Sequence, residues 1–423
     1  MDASRIVIGL ADDRVNELAR HQKNDTASIE DITTACAGGE RPNLLNDADY
    51  RGVQAKRLVD SEPRPDDAAY YGEKIGLAHG TAFAQRRQAP RADCDDQPYL
   101  TAAGINLPAM RRGADAARWA RYNGAGVQFI QIEEGWNVMH KAFNRRVRKE
   151  SPGTDFAIGQ MLHGNAGLGI VLANGAASRI RGIAPACTLK GLYALKYAAG
   201  RPHERLEKAI GLAARNLAPG DVILLALQVE DTLLPVEVKP RVFKAIRAAT
   251  CKGIIVIEAA GNQGRPLEDA LKHPRRAAAW ADQKDDVPSF QGLPDSGAII
   301  VGGCTVQTYY ARYDDPVQDD NTRSGPRVDC CAWSGHVWTS HGERSDYDFF
   351  NGTSAAAAVI AGLALIIQQR AKERLGRPLT PVEMRALFRD PTCGTEVEPT
   401  DPSHSISMPD TMKLFKRIEK IPR

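Results

Sequence analysis

At 423 residues and 43% hydrophobic composition, the chain has room for one large or two to three ordinary domains and enough apolar side chains for a sizeable core. Its 55 basic and 52 acidic residues leave a formal charge of +3, which gives no electrostatic case for a nucleic-acid or membrane-surface partner. No apolar run reaches the length of a membrane span; Ala355 to Ile367 is too short and is followed by Gln368-Gln369-Arg370.

The first residues, Met1-Asp2-Ala3-Ser4-Arg5-Ile6-Val7-Ile8, hold one basic residue and a brief apolar patch before Asp12-Asp13-Arg14, and do not read as a secretory signal peptide. The expected location is the cytoplasm, or the exterior by a route without a classical signal peptide. The eight cysteines (Cys36, Cys94, Cys187, Cys251, Cys304, Cys330, Cys331 and Cys393) are scattered, with no pair at the two-residue gap that zinc sites favour. Free thiols in a reducing compartment are the expectation, with disulfides as the alternative for an exported protein.

Residues 1–97 are the least patterned part. Arg5 to Leu10 reads as a short strand and Arg14 to His21 as a helix, after which Gly38-Gly39, Pro63 and Pro65 punctuate segments without clear periodicity. The expectation is an N-terminal accessory or pro-region, or a partly disordered tail, ahead of one large domain over residues 98–423. Leu107, Met110, Ala114 and Ala117 recur at helical spacing until Tyr122-Asn123-Gly124-Ala125-Gly126 stops the run. Val127 to Ile132 reads as a strand ending in Glu133-Glu134-Gly135, so carboxylates stand where open α/β sheets place their chemistry. Two exposed glutamates in a turn are the plainer alternative.

Leu162 to Ala173 reads as a helix carrying His163, and its small residues Gly164, Ala166, Gly167 and Gly169 allow a neighbouring backbone to come close. A strand near Thr188 to Leu192 and a helix over Leu206 to Leu217 follow. Asp221 to Gln228 then holds a continuous apolar run with the length of a central parallel strand. Val242 to Thr250 predicts a helix, Gly253 to Ala260 a buried strand ending in Gly261-Asn262-Gln263-Gly264, and Ala298 to Gly303 a further strand. This alternation from Val127 to Ile367 predicts an α/β fold, a doubly wound and mostly parallel sheet with helices on both faces.

A helix made of Ala355 to Ile367 is apolar on every side and must be buried. Its start falls at Asn351-Gly352-Thr353-Ser354, where the glycine permits a tight turn and the first-turn amides favour negative charge near the Ser354 hydroxyl. A simple N-cap role for Thr353 or Ser354 is the local alternative.

From Tyr99 to Ile418 these segments resemble the subtilisin-like serine proteases, or subtilases. Val127 to Gly135 is similar to the family's acid-bearing strand, with Glu133 at the place of its aspartate, and His140 falls where the family often has a histidine. His163-Gly164 with Gly169 resembles the family's histidine helix, Ala259 to Gly264 its oxyanion asparagine loop, and Asn351 to Ala356 its nucleophile motif. Ile406-Ser407-Met408-Pro409-Asp410 resembles its closing segment. The order acid, histidine, asparagine, serine is also the family's. Glu133-Glu134-Gly135-Trp136 is similar to a Glu-x-Gly-Trp version of the acid motif in a subset of subtilase-like sequences.

The resemblance implies a serine endopeptidase that hydrolyses a peptide or protein substrate through an acyl-enzyme and requires no cofactor. His163 then takes the proton of Ser354, Glu133 orients the ring and balances the imidazolium, and Asn262 with the Ser354 N–H holds the oxyanion. Glu134 is the reserve acid. Asp314-Asp315 and Asp319-Asp320-Asn321 form an acidic loop that would hold structural calcium, as loops of this family often do, or remain simply solvated. Three departures stand out: the glutamate, Ala358 where the family has proline, and Ala226-Leu227-Gln228 where its cleft strand reads Ser-Leu-Gly. They motivate a second reading, a catalytically inactive subtilase-fold protein serving as a binding or scaffold module. An esterase on an α/β-hydrolase scaffold is disfavoured, since it wants a Gly-x-Ser-x-Gly elbow with the serine first in order.

Overall fold

The structure is a computed structural model that describes residues 75–77, 97–101, 104–107, 119–144, 147, 158–195, 202–230, 232–268, 289–290, 293–305, 317–318, 324–342, 346–397 and 406–422. The strand and helix expected before residue 22, the body of the helix expected from Leu107 to Ala117, and the aspartates of the acidic loop lie outside the described residues. In chain order, the strands that concern the site are β1 (Ile75–Leu77), β2 (Gln128–Glu133), β3 (Thr188–Ala194), β4 (Val222–Leu225), β5 (Leu227–Val229) and β6 (Leu234–Pro235), then β7 (Ile255–Ala259), β8 (Ile299–Thr305), β9 (Val317–Gln318) and β10 (Cys330–Trp333). The helices that position the site and pack on the sheet are α1 (Ile158–Leu172), α2 (Pro202–Asn216), α3 (Pro240–Cys251), α4 (Thr353–Leu375) and α5 (Pro381–Arg389), and a further helix spans Thr411–Glu419.

A seven-stranded sheet runs in the order β9-β8-β7-β4-β2-β3, with β10 also paired to β8. Its pairings are parallel except β8 with β9. The apolar strands explain themselves by what covers them. Val222 and Leu224 of β4 belong to the core formed with α1 and α4, whereas Ile223 and Leu225 belong to the core formed with α2 and α3. With helices on both faces, every side chain of such a strand is buried, which is why the run is apolar at each position rather than at alternate ones. Helix α4 is buried at every residue from Thr353 to Ala371. It is long and apolar enough to cross a membrane, yet its most apolar stretch is wholly buried inside the fold.

The run from Asp221 to Gln228 is not one strand, as its composition predicts, but two. The ladder stops at Ala226, whose carbonyl oxygen lies 3.3 Å from the Ser354 hydroxyl oxygen. Beyond it β5 leaves the central sheet and pairs antiparallel with β6 on one side and β1 on the other. The β1 register sets Ile75 against Val229, Gly76 against Gln228 and Leu77 against Leu227. Free thiols are found at the buried Cys187, Cys304, Cys330, Cys331 and Cys393. Cys251, at the partly exposed end of α3, departs from that expectation and is disulfide-bonded.

Behind the sheet lies a buried ionic network. Arg327, fully buried, bonds Asp329 at 2.9 Å and Glu237 at 3.3 Å, while Arg385 of α5 grips both oxygens of Asp295 at 2.8 Å. Glu258, the next-to-last residue of β7, receives the Glu237 N–H at 2.9 Å on one oxygen and, among the described residues, has no hydrogen-bond partner on the other. Burial, reinforced by the neighbouring Glu237, raises the Glu258 carboxyl well above the usual carboxylate range, so it is held neutral. Above the ordinary carboxylate value the unfolded chain ionises this group while the folded one does not, so stability falls as pH rises towards the raised value. Glu258→Gln removes that loss. Its melting temperature is expected to match the parent at pH ~4 and to exceed it by about 2–4 °C at pH ~8. Equal differences at both pH values contradict this account.

Candidate active site

The acid, base and nucleophile come from three elements that meet at the carboxyl ends of the parallel strands. Glu133 is the last residue of β2, His163 lies in the second turn of α1, and Ser354 in the first turn of α4. His163 Nδ1–H donates to Glu133 Oε2 at 2.6 Å, and His163 Nε2 accepts the Ser354 hydroxyl at 3.0 Å. The other carboxylate oxygen, Oε1, receives the backbone N–H of Glu134 at 3.0 Å. Glu133, rather than Glu134, therefore meets the imidazole. Glu133 and Ser354 are fully buried and His163 is 1% exposed, so the chain of bonds is shielded from water along its length.

A glutamate needs the acid-bearing turn to be fixed at the right distance from the helix. Gly164 allows the close approach: a Cβ there would sit 2.0 Å from the Gly135 carbonyl and 3.0 Å from Glu133 Cγ. A side-chain bridge then locks the spacing. Trp136 Nε1 donates to Gln131 Oε1 at 3.1 Å, and Gln131 Nε2 donates to the Gly164 carbonyl at 3.3 Å. Gln131 was not a candidate in the sequence, and Trp136 figured there only as the last residue of the Glu-x-Gly-Trp motif. Gln131 is fully buried in the middle of β2, which no local feature of the sequence announces. On its other side the His163 ring meets Phe350 edge-on at 4.9 Å.

Ser354 owes its place to Gly352, which caps α4 with φ 79°, a left-handed backbone open to glycine; neither Thr353 nor Ser354 is the N-cap. Its backbone N–H lies in the first turn, where amides have no carbonyl one turn back. Asn262 follows β7 and faces this turn. Its Oδ1 accepts the Thr353 N–H at 2.9 Å and the Thr353 hydroxyl at 3.1 Å, and Thr353 in turn accepts the Gly261 N–H at 3.2 Å. The backbone N–H and Nδ2 of Asn262 donate to Gln228 Oε1 at 3.1 and 3.3 Å.

His140 lies apart from this chain. Its Nδ1 accepts the Ala142 N–H at 3.0 Å, its Nε2 donates to the Asp346 carbonyl at 2.6 Å, and its ring packs between Phe143 and Tyr347. Burial holds its imidazole below the ordinary histidine value, suiting a neutral structural ring. Among the described residues no group of three or more histidine, cysteine, aspartate or glutamate side chains is placed to hold a metal ion.

An alcohol bonded to an imidazole, itself bonded to a buried carboxylate and standing at a helix start beside a carboxamide, is an arrangement suited to acyl transfer. The family model described as the subtilase family, Peptidase_S8, matches residues 4–403. No curated protein is similar enough in sequence to be matched to the chain. Among solved structures, a protease from Pseudoalteromonas arctica is 17% identical with a TM-score of 0.52, covering 77% of this chain and 97% of its own. Fervidolysin from Fervidobacterium pennivorans, a keratinolytic enzyme related to subtilisin, is 13% identical with a TM-score of 0.51, covering 82% of this chain and 50% of its own. These two likenesses concern the fold, whereas the family match extends over nearly the whole sequence: the chain belongs to the subtilase family of serine endopeptidases.

Proposed function

We propose that the chain hydrolyses peptide bonds with a Ser354-His163-Glu133 triad and an acyl-enzyme intermediate. The observation that carries this reading is the unbroken hydrogen-bond chain from Glu133 through His163 to Ser354. Ser354 attacks the substrate carbonyl as His163 Nε2 takes its proton, and the resulting imidazolium is balanced by Glu133 through Nδ1–H. Asn262 and the Ser354 N–H supply the donors for the oxyanion. His163 then returns the proton to the leaving amine, and water repeats the sequence on the acyl-enzyme. The chemistry asks for an oriented carboxylate, and the Gly164 approach with the Trp136–Gln131 bridge supports glutamate in the aspartate's role.

The inactive-scaffold reading predicts a folded protein that binds peptides without cutting them. Incubation of purified protein with an unstructured polypeptide, read as new termini by mass spectrometry, separates the two. New termini are expected, and their absence with a correctly folded protein would contradict the triad assignment.

Residues 1–97 are read as a pro-region. What supports this is β1, which lies along β5, next to the Ala226 carbonyl that meets the Ser354 hydroxyl; a peptide laid antiparallel on that edge runs towards the nucleophile. N-terminal sequencing after incubation is expected to find a new terminus between Leu77 and Tyr99 in wild type and none in Ser354→Ala. An intact N-terminus in a protein that cleaves other polypeptides would overturn the pro-region reading alone.

A further inference from the structure

Gln228 takes no part in the steps above, although it stands where the family's cleft strand has glycine. Its side chain is 4% exposed, and its Oε1 accepts both the backbone N–H of Asn262 at 3.1 Å and the side-chain Nδ2 at 3.3 Å. The opposite end of the same carboxamide, Oδ1, is held by the N–H and hydroxyl of Thr353 at 2.9 and 3.1 Å. An amide group gripped only at its oxygen retains freedom to rock about its last torsion, which is broad for asparagine. Gripped also at one of its two amide hydrogens, it has its plane set, and the remaining N–H has a single direction left.

We infer that Gln228 is a positioning residue for the oxyanion: it fixes the Asn262 carboxamide so that the remaining Nδ2–H is presented to the tetrahedral intermediate. The inference rests on the reading of Asn262 as an oxyanion donor. It accounts for a long polar side chain that is nearly buried on β5. It also ties two functions together, because the strand whose edge receives an extended peptide carries the side chain that orients the donor. Preorganised donors stabilise a transition state because no reorientation is needed as charge develops. Losing the grip therefore acts on turnover and spares ground-state binding.

The test is a double-mutant cycle on the full chain. Asn262→Ala lowers kcat by ~10²–10³, the range for an oxyanion-hole donor whose worked case is subtilisin, a member of this family. Gln228→Met, similar in length but without the accepting oxygen, is expected to lower kcat by about tenfold, the worth of one orienting hydrogen bond, with KM little changed. In the Asn262→Ala background the same substitution is expected to cost no further turnover, because no side-chain amide is left to orient, while the loss of the acceptor for the backbone N–H of residue 262 is common to both backgrounds. A purely structural role would give the same loss in both backgrounds. Gln228→Ala carries the same cycle if the methionine variant does not fold, as judged by its melting curve. Wild-type kcat in a folded Gln228 variant, or a loss that persists in Asn262→Ala, overturns the assignment while leaving the triad intact. A wild-type protein with no turnover overturns the triad reading and this inference with it.

Discussion

Ser354→Ala is expected to lower kcat by about 10⁶, the loss seen when one member of a catalytic unit is removed and only substrate positioning and oxyanion donors remain. The size follows from the geometry. The Ser354 hydroxyl bonds the imidazole at 3.0 Å, so its deletion leaves His163 with no serine proton to take. Alanine is compatible with the first turn of α4, which already runs into four alanines, and the fold is expected to survive. KM for a peptide substrate should move little. A correctly folded Ser354→Ala protein that retains peptidase activity would contradict the assignment of the nucleophile.

Glu133→Gln is expected to lower kcat by about 10⁴ while leaving the backbone unchanged, as for a triad whose carboxylate becomes an amide. Glu133 Oε2 sits 2.6 Å from His163 Nδ1 and its Oε1 on the Glu134 N–H, so the amide oxygen has two donors competing for it. If the oxygen keeps the Glu134 N–H, the amide N–H₂ faces Nδ1 and forces the ring into the tautomer that cannot accept from Ser354. If it turns to Nδ1, the buried imidazolium still has no counter-charge. Glu133→Asp retains the charge but shortens the arm by a methylene across a gap fixed by Gly164 and the Trp136–Gln131 bridge, so it is expected to fall between wild type and glutamine. A Glu133→Gln enzyme with wild-type kcat would remove the carboxylate from the mechanism.

What the sequence made legible follows from how local each feature is. The strands β4 and β7 and the helix α4 announce themselves because layers on both sides leave no room for polar residues. Glu133, His163, Asn262 and Ser354 stood out as candidates because each sits in a short motif of its own. The break at Ala226 was not readable, since apolar residues continue from Leu225 through Leu227, whereas the partners that β5 takes beyond it, β1 and β6, are defined only in the fold. Gln131 was equally opaque, because the carbonyl it serves belongs to Gly164, 33 residues away. Gln228 was visible only as a departure from a pattern; its meaning needed the Asn262 amide beside it. The strand β1 lies in a stretch without hydrophobic periodicity and is defined by the edge it joins, not by its own composition.

The most direct test of the triad is to treat native wild-type protein with a fluorophosphonate and locate the adduct by peptide mass mapping. A single adduct on Ser354, absent from His163→Ala and from heat-unfolded protein, is the predicted result, because only an alcohol activated by its neighbours reacts. Native protein that stays unlabelled, or carries its label on another residue, contradicts it.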